Sequence, residues 1–364
     1  HVMLLGLSYW INKVFFDKDN PVFGFSYFFG LVVFVFVLFL GNILFSISLV
    51  SLSRFVFGVA VIGLIFLLMS SVSRKRLLIH PILYLLPLTW LYFYFNSEII
   101  YSPTEWDEYQ RWLKRPMELV ADDAILNPAR HGYIVGYNYP PGAHFLLAFP
   151  SLLFDQRFSI GPVVVVPLIS ALALLGLSYD CIKSSVPKQF LIHFMILMIA
   201  IYTLFGGGRV IFPGSVAIEP FNIQVIIAIG FSVYFVLKEE IHYQKGLFIV
   251  GLLCAYAYLI KEPNAVLFPS LVLVFYIFRF ITWRKKNGSL VELFIKLTID
   301  TILFVGPFLL MLLLWRWEIK DYTPMSMSLW SGNSITMWNS RAHLMPRIWT
   351  EVVVLATQSN HILF

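Results

Sequence analysis

Six carboxylates crowd into one polar stretch of an otherwise apolar chain. Residues 103–140 hold six of the 20 acidic residues, at Glu105, Asp107, Glu108, Glu118, Asp122 and Asp123. A carboxylate can act as a general base toward an acceptor hydroxyl, and it can also hold a divalent cation or orient a substrate. Membrane proteins place much of their chemistry in polar loops between apolar segments. We therefore expect the functional site to include this stretch.

The adjacent acids Asp107 and Glu108 are the candidate catalytic residues. One carboxylate of such a pair can take a proton from an acceptor hydroxyl while its neighbour orients the substrate or a cation. Asp107 could in addition be a ligand of Mg²⁺ or Mn²⁺. The alternative is a solvated acidic cluster at a helix start, where acids are stabilising. Asp122 and Asp123 form a second pair, with a role in an ordinary loop as the alternative to substrate binding.

Five further residues are candidates for substrate binding: Tyr139, His144, Arg209, Lys261 and Glu262. Lys261 and Glu262 interrupt two apolar segments, where charge is costly unless it is used or neutralised; a short turn with a snorkelling lysine is the alternative. Arg209 follows three glycines, but the chain has no nucleotide-binding glycine loop. The arginine could instead hold a lipid phosphate. Tyr139 could be the wall of a sugar site or part of an interfacial aromatic belt. His144 could equally be a single surface histidine.

Helices in a bilayer must position these residues. The chain has 364 residues, of which 59% are hydrophobic and 13% charged, whereas a soluble domain is about 25% charged. Apolar runs near the roughly 17–25 residues that cross a bilayer occur at 22–45, 48–71, 79–96, 160–179, 189–205, 215–237, 246–260, 264–282 and 293–314. We therefore predict an all-α, polytopic transmembrane helical bundle of about nine spans, with a large outward loop that contains short interfacial helices.

Lysine and arginine cluster in four loops, at 74–76, 183–188, 238–245 and 284–286. The positive-inside rule places all four in the cytoplasm. The polar loop 97–159 then lies outside, provided that its apolar run 143–154 does not cross. With about 12 residues and an internal proline, that run is too short for roughly 30 Å of hydrocarbon, so we predict an interfacial or re-entrant helix. The net charge of +6 thus reflects topology, and we expect no nucleic-acid partner.

The chain divides into four predicted parts: N-terminal spans at 1–96, an external acidic catalytic loop at 97–159, a transmembrane core at 160–314, and an external tail at 315–364 that could be truncated. Within the loop, residues 106–126 could form an amphipathic helix on the membrane surface. In the core, Glu292, Lys296 and Asp300 have the spacing of an ion-pair ladder on one helix face.

The order of these motifs resembles the GT-C superfamily of integral-membrane glycosyltransferases, which includes protein O-mannosyltransferases, the lipid A aminoarabinose transferase and mycobacterial arabinosyltransferases. The similarity covers about residues 77–280. It rests on Trp106-Asp107-Glu108, Tyr139-Pro140-Pro141-Gly142 and Asp155-Gln156-Arg157-Phe158. Two features depart from the family. The acidic loop follows three predicted spans instead of one, and the 364 residues include no soluble C-terminal domain.

The resemblance implies transfer of a sugar from a polyprenyl-phosphate carrier to a glycan, lipid or protein acceptor at the external, periplasmic or lumenal face of the bilayer. Asp107 would be the base, with Glu108 in support, and Lys261 and Arg209 would hold the carrier phosphate. Asp107 and Lys261 should then line one cavity, with the helix at 143–154 as a wall. Some members use a divalent cation and others do not, so metal dependence stays open.

Two other functions remain as alternatives. A lipid or glycan transporter or flippase would show mid-span charge and an internal repeat, and the sequence has sparse mid-span charge and no clear repeat. A polysaccharide polymerase or ligase also has a large outer loop. That loop typically lies late in the chain and is rich in Arg and His, whereas the loop here comes early and is acidic.

Overall fold

The computed structural model describes residues 1–16, 22–78, 80, 82–83, 113–125, 140–154, 158, 160–183, 218–237, 243–285 and 289–319. Within these ranges all regular structure is helical, as predicted. The α-helices are α1 (Val2–Phe15), α2 (Phe23–Phe45), α3 (Leu49–Met69), α4 (Ser71–Leu78), α5 (Lys114–Asp122), α6 (Gly142–Phe154), α7 (Ile160–Ile182), α8 (Ile218–Leu237), α9 (Tyr243–Ile260), α10 (Leu267–Lys285) and α11 (Leu290–Glu318). A 3-10 helix, Glu262–Val266, joins α9 to α10.

Five helical segments are long and apolar enough to cross a membrane: α2, α3, α9, α11, and the 3-10 helix together with α10. The predicted spans at 160–179 and 215–237 coincide with α7 and α8, whose apolar stretches are shorter. The predicted spans at 79–96 and 189–205 lie largely or wholly outside the described residues. Helix α1 was not predicted as a span. It has only 14 residues, and polar side chains such as Asn12 and Lys13 dilute its apolar run.

Asp180, near the end of α7, caps the start of α2. Its Oδ2 accepts the backbone N–H of Gly24 at 2.6 Å, and its Oδ1 lies 2.7 Å from Lys183 Nζ and 3.2 Å from His80 Nε2. A carboxylate at this position satisfies a free N–H group and is favoured by the helix dipole. Because His80 follows α4, the contact brings the ends of α4 and α7 to the same end of the bundle.

The other two cationic segments lie at that end as well. Lys245 Nζ, at the start of α9, donates to the carbonyl oxygen of Val14 at the end of α1, at 2.8 Å. Arg279, near the end of α10, lies 4.4 Å from the ring centroid of Tyr243. The described parts of all four cationic loops therefore share one end, here called the basic end. We call the other end, where α2, α9 and α11 finish and α3 begins, the site end.

Helix α6 is short and inserted into the bundle. Its 13 residues fall below the length of a span, in agreement with the prediction for 143–154. At its start, a Cβ on Gly142 would lie 2.7 Å from the carbonyl oxygen of Leu259, so only glycine allows this approach. Farther along, the ring of Phe149 meets that of Phe34 in the middle of α2, with 4.8 Å between centroids. These contacts favour a re-entrant helix over one lying on the surface.

Helix α5 departs from the predicted amphipathic surface helix at 106–126. The described helix is Lys114–Asp122, and its charged residues Arg115 and Glu118 are buried with 4% of their surface exposed. The helix packs against α6. Arg115 and Glu118 therefore face the protein together with Leu119 and Val120, which differs from a helix whose charged face meets water. Residues 106–112 of the predicted helix lie outside the described residues.

The predicted ion-pair ladder on α11 is only half correct. Glu292 and Lys296 do pair. Asp300 is buried and instead binds Arg279 of α10 through two hydrogen bonds, Nε to Oδ2 at 2.7 Å and Nη2 to Oδ1 at 2.8 Å. A bidentate pair in apolar surroundings is stronger than one more exposed pair along a helix, which explains why the carboxylate turns toward the neighbouring helix.

We expect cysteines placed at Lys183 and at Asp122 to react from opposite sides of the membrane, because these positions lie at the basic end and the site end. The native Cys181 and Cys254 are buried, so background labelling should be low. A membrane-impermeant maleimide added to intact cells should label Asp122→Cys, and Lys183→Cys only after permeabilisation. Ser46→Cys, in the exposed turn after α2, should behave like Asp122→Cys. Labelling of Lys183→Cys from outside would contradict the topology.

Candidate functional site

The predicted site residues that the structure describes all lie at the site end: Asp122, Asp123, His144, Lys261 and Glu262. The remaining four lie outside the described residues: Asp107, Glu108, Tyr139 and Arg209. The described residues fall into an anchor on α3, a buried cluster between α5 and α6, and a second cluster where α8, α9 and α11 meet.

Asp123 anchors the acidic loop to α3. It follows α5 in a left-handed conformation with φ of 52°, which Asp tolerates better than most residues. Its Oδ1 accepts the N–H of Val50 at 2.7 Å, and its carbonyl oxygen accepts that of Leu49 at 3.2 Å. Asn42, in the last turn of α2, accepts the N–H of Ile125 at 2.9 Å. Asp123 therefore has a capping role. Asp122, the other member of the pair, is partly buried in the last turn of α5.

His144 belongs to a buried charged cluster with Arg115 and Glu118. The histidine is 1% exposed. Arg115 Nη1 lies 3.6 Å from Glu118 Oε2, and Arg115 Nη2 donates to the carbonyl oxygen of Ile125 at 2.5 Å. Burial, together with the positive charge of Arg115, lowers the pKa of His144 to about 3. The imidazole is therefore neutral at physiological pH, and the reading of His144 as a surface histidine does not hold.

We expect the protein to lose stability as the pH falls below about 6.5, and His144→Gln to remove part of that loss. The unfolded chain binds a proton on this imidazole near pH 6.5, whereas the folded protein excludes it until about pH 3. Between these values the unfolded state holds more protons, so stability falls with pH by up to about 1.4 kcal/mol per unit.

Thermal unfolding in detergent micelles at pH 7, 6 and 5 measures this dependence. Ser151→Ala is the control, because Ser151 is also buried on α6 but does not titrate. Its pH profile should match that of the wild type, with only a constant offset. Identical pH profiles for the wild type and His144→Gln would show that the imidazole is not held neutral.

Lys261 and Glu262 occupy the short turn between α9 and α10. The N–H of Lys261 donates to the carbonyl oxygen of Ala257 at 2.9 Å. The N–H of Asn264 donates to the carbonyl oxygen of Lys261 at 3.0 Å. The side chain of Asn264 donates to the same Ala257 oxygen at 2.8 Å and to Asn222 Oδ1 of α8 at 2.5 Å. These bonds tie three helices together at the turn and fix where both charged residues leave the backbone.

Arg316 is a functional candidate that the sequence analysis missed. It lies in the last turn of α11 and forms an ion pair with Glu262, with 27% and 13% of the two side chains exposed. The hydroxyl of Tyr258 lies beside the same guanidinium. A signal was present in the run Trp315-Arg316-Trp317, because it puts a cation at the end of a span opposite the basic loops. Glu262 is thus neutralised by a partner 54 positions away in sequence.

The two clusters adjoin through the backbone. Gly142, two residues before His144, contacts Leu259 and Ile260, which directly precede Lys261. Helix α6 therefore borders the turn that carries Lys261. The prediction that Asp107 shares a cavity with Lys261 concerns a residue outside the described ranges.

Metal binding has no support from the described residues, which contain no group of three or more His, Cys, Asp or Glu side chains that could hold an ion. The predicted ligand, Asp107, lies outside them. Comparisons with family models, curated proteins and solved structures find no match. Function is therefore proposed from the residues at the site end. There, Arg316 and Lys261 place positive charge at the boundary of an apolar bundle, a combination suited to an anionic ligand.

Proposed function

We propose that the protein is a membrane glycosyltransferase of the GT-C type. It moves a sugar from a polyprenyl-phosphate donor to a glycan, lipid or protein acceptor at the outer face of the membrane. The observation that carries this proposal is the gathering of Lys261, Glu262 and Arg316 at the site end, beside the inserted helix α6. A lipid-linked phosphate arrives at the level of the membrane boundary, and it needs cations there.

The acidic loop supplies the base in this proposal. Asp107 takes the proton from an acceptor hydroxyl, and Glu108 supports it. The acceptor oxygen forms a bond to the anomeric carbon while the bond from that carbon to the carrier phosphate breaks. Lys261 and Arg209 stabilise the negative charge that develops on the leaving phosphate. A divalent cation bound at Asp107 would assist if the enzyme uses one.

The position of α6 supports this arrangement. The base and the phosphate-binding residues must lie within about one sugar-phosphate length, since reacting atoms approach to about 3–3.5 Å before reaction. The segment that carries Tyr139 leads directly into α6, and Gly142 at the start of α6 touches the end of α9. In this proposal Tyr139, which precedes α6 in the sequence, contacts the sugar near Lys261.

A lipid or glycan transporter is the second candidate, and one observation favours it. Arg279 and Asp300 form a partly buried ion pair between α10 and α11, and charge inside a membrane segment often marks a transport pathway. The two side chains are joined by two hydrogen bonds, as expected for an ion pair that stabilises the contact between two helices. We therefore place transfer ahead of transport.

One pair of assays distinguishes the two candidates. Purified protein is incubated with radiolabelled short-chain polyprenyl-phosphate sugars and a panel of glycan, lipid and peptide acceptors. The transferase predicts protein-dependent release of free polyprenyl phosphate together with labelled acceptor. In liposomes, movement of the intact labelled lipid between leaflets without cleavage would instead identify a transporter, and the absence of cleavage under all conditions would contradict the proposed function.

A further inference from the structure

Two buried hydrogen-bond donors at the site end, the Tyr258 hydroxyl and the Trp315 indole N–H, have no partner among the described residues. Tyr258 is fully buried, and its hydroxyl lies beside the Arg316 guanidinium, which can only donate. The phenol proton therefore has no acceptor in the described part of the chain. Trp315, also fully buried, has an indole N–H without a partner among the described residues. Native proteins rarely leave buried donors unsatisfied, and a bound ion is one established reason for doing so.

We propose that Arg316 and the Tyr258 hydroxyl form a binding site for a phosphoryl oxyanion, with Glu262 as its internal counter-ion. The planar guanidinium fork matches phosphate oxygens, and the phenol supplies an additional neutral donor. Lys261, next to Glu262 in the chain, adds positive charge to the same turn. This inference rests on the proposed function only for its assignment of the anion to the sugar carrier.

The Arg316–Glu262 pair is accessible enough to exchange partners. Both side chains retain some exposed surface at the site end, in contrast to Asp300, which is 3% exposed within the bundle. An incoming phosphate would take the donors of Arg316 and compete with the Glu262 carboxylate for them. The two residues of the pair should therefore affect phosphate affinity in opposite directions, whereas a purely structural pair should not affect affinity at all.

The test measures binding to the purified full chain in detergent micelles. The probes are inorganic phosphate and geranyl phosphate, titrated while tryptophan fluorescence and the thermal midpoint are recorded. Arg316→Gln should weaken binding about tenfold or more, as expected for loss of a charged hydrogen bond. Glu262→Gln, which keeps the shape but removes the competing charge, should tighten it severalfold. Tyr258→Phe should weaken it with the fold preserved.

Glu292→Gln and Lys296→Gln are the matched controls, because they disrupt an ion pair at the other end of the same helix. Phosphate affinity should not change in either variant. Equal affinity for the two probes identifies the phosphate group alone as the ligand, and tighter binding of geranyl phosphate identifies a lipid-linked phosphate. Either result supports the site.

Unchanged affinity in Glu262→Gln and Tyr258→Phe would overturn the proposal, and so would weaker binding in Glu262→Gln. These two variants decide the question even if Arg316→Gln does not fold. Binding is measured without turnover, so the outcome is separate from that of the transfer assay. A phosphate site with the expected signs but no sugar transfer would leave the site standing and refute the transferase.

Discussion

Replacing Asp107 by Asn is expected to slow sugar transfer by a factor of about 10²–10⁴, the usual contribution of a general base. The amide keeps the size of the side chain but cannot accept the proton of the acceptor hydroxyl. Because the base acts in the chemical step, kcat should fall while the KM for the lipid donor changes little. The measurement is the transfer assay with purified protein.

Asp123→Asn is the matched control for this variant. It removes a carboxylate from the same loop, but Asn caps a helix as well as Asp and can still accept the N–H of Val50. Transfer by Asp123→Asn should therefore stay near the wild-type rate. A well-folded Asp107→Asn variant with near-normal transfer would show that Asp107 is not the base.

Arg279→Leu is expected to destabilise the protein by about 3–5 kcal/mol, because it leaves a buried carboxylate without its partner. Asp300, the residue left behind, is 3% exposed and lies on a helix that is long and apolar enough to cross a membrane. Asp300→Leu should cost less, since the Arg279 side chain is 17% exposed and its long stem can carry the charge toward the basic end. The double variant should lie close to the wild type.

A double-mutant cycle on detergent-solubilised protein measures this coupling through denaturant or thermal unfolding. Glu292→Gln gives the scale of an exposed pair on the same helix, for which we expect no more than about 1 kcal/mol. Additive costs for Arg279→Leu and Asp300→Leu would mean that the two charges do not depend on each other.

The bilayer explains why much of the fold could be predicted from the sequence. A crossing helix needs a long apolar run, and α2 and α3 show such runs without interruption. The positive-inside rule predicts that lysine and arginine outside the spans gather on one side, and the described residues Lys183 and Lys245 do lie at one end of the bundle. Both properties belong to single residues or short windows, and so they need no knowledge of packing.

Pairing between helices could not be predicted in this way. Asp300 has Lys296 four residues before it, but its partner Arg279 lies 21 positions away on another helix. The partner of Arg316 is likewise outside its own helix: it is Glu262, 54 positions away in sequence. Sequence spacing identifies neighbours on one helix, whereas the choice between them and a residue on the next helix depends on which faces pack together. The same limit applies to Arg115, whose burial depends on how α5 lies against α6.

The contacts of Asp123 and Gly142 hold α5 and α6 against two different helices. Asp123 is bonded to the first turn of α3, and Gly142 is pressed against the last turn of α9. Because α5 and α6 also pack against each other, a displacement of α3 or α9 is passed to the cluster of Arg115, Glu118 and His144 between them. A substitution that spreads α3 and α9 should therefore loosen that cluster even if it touches none of its side chains.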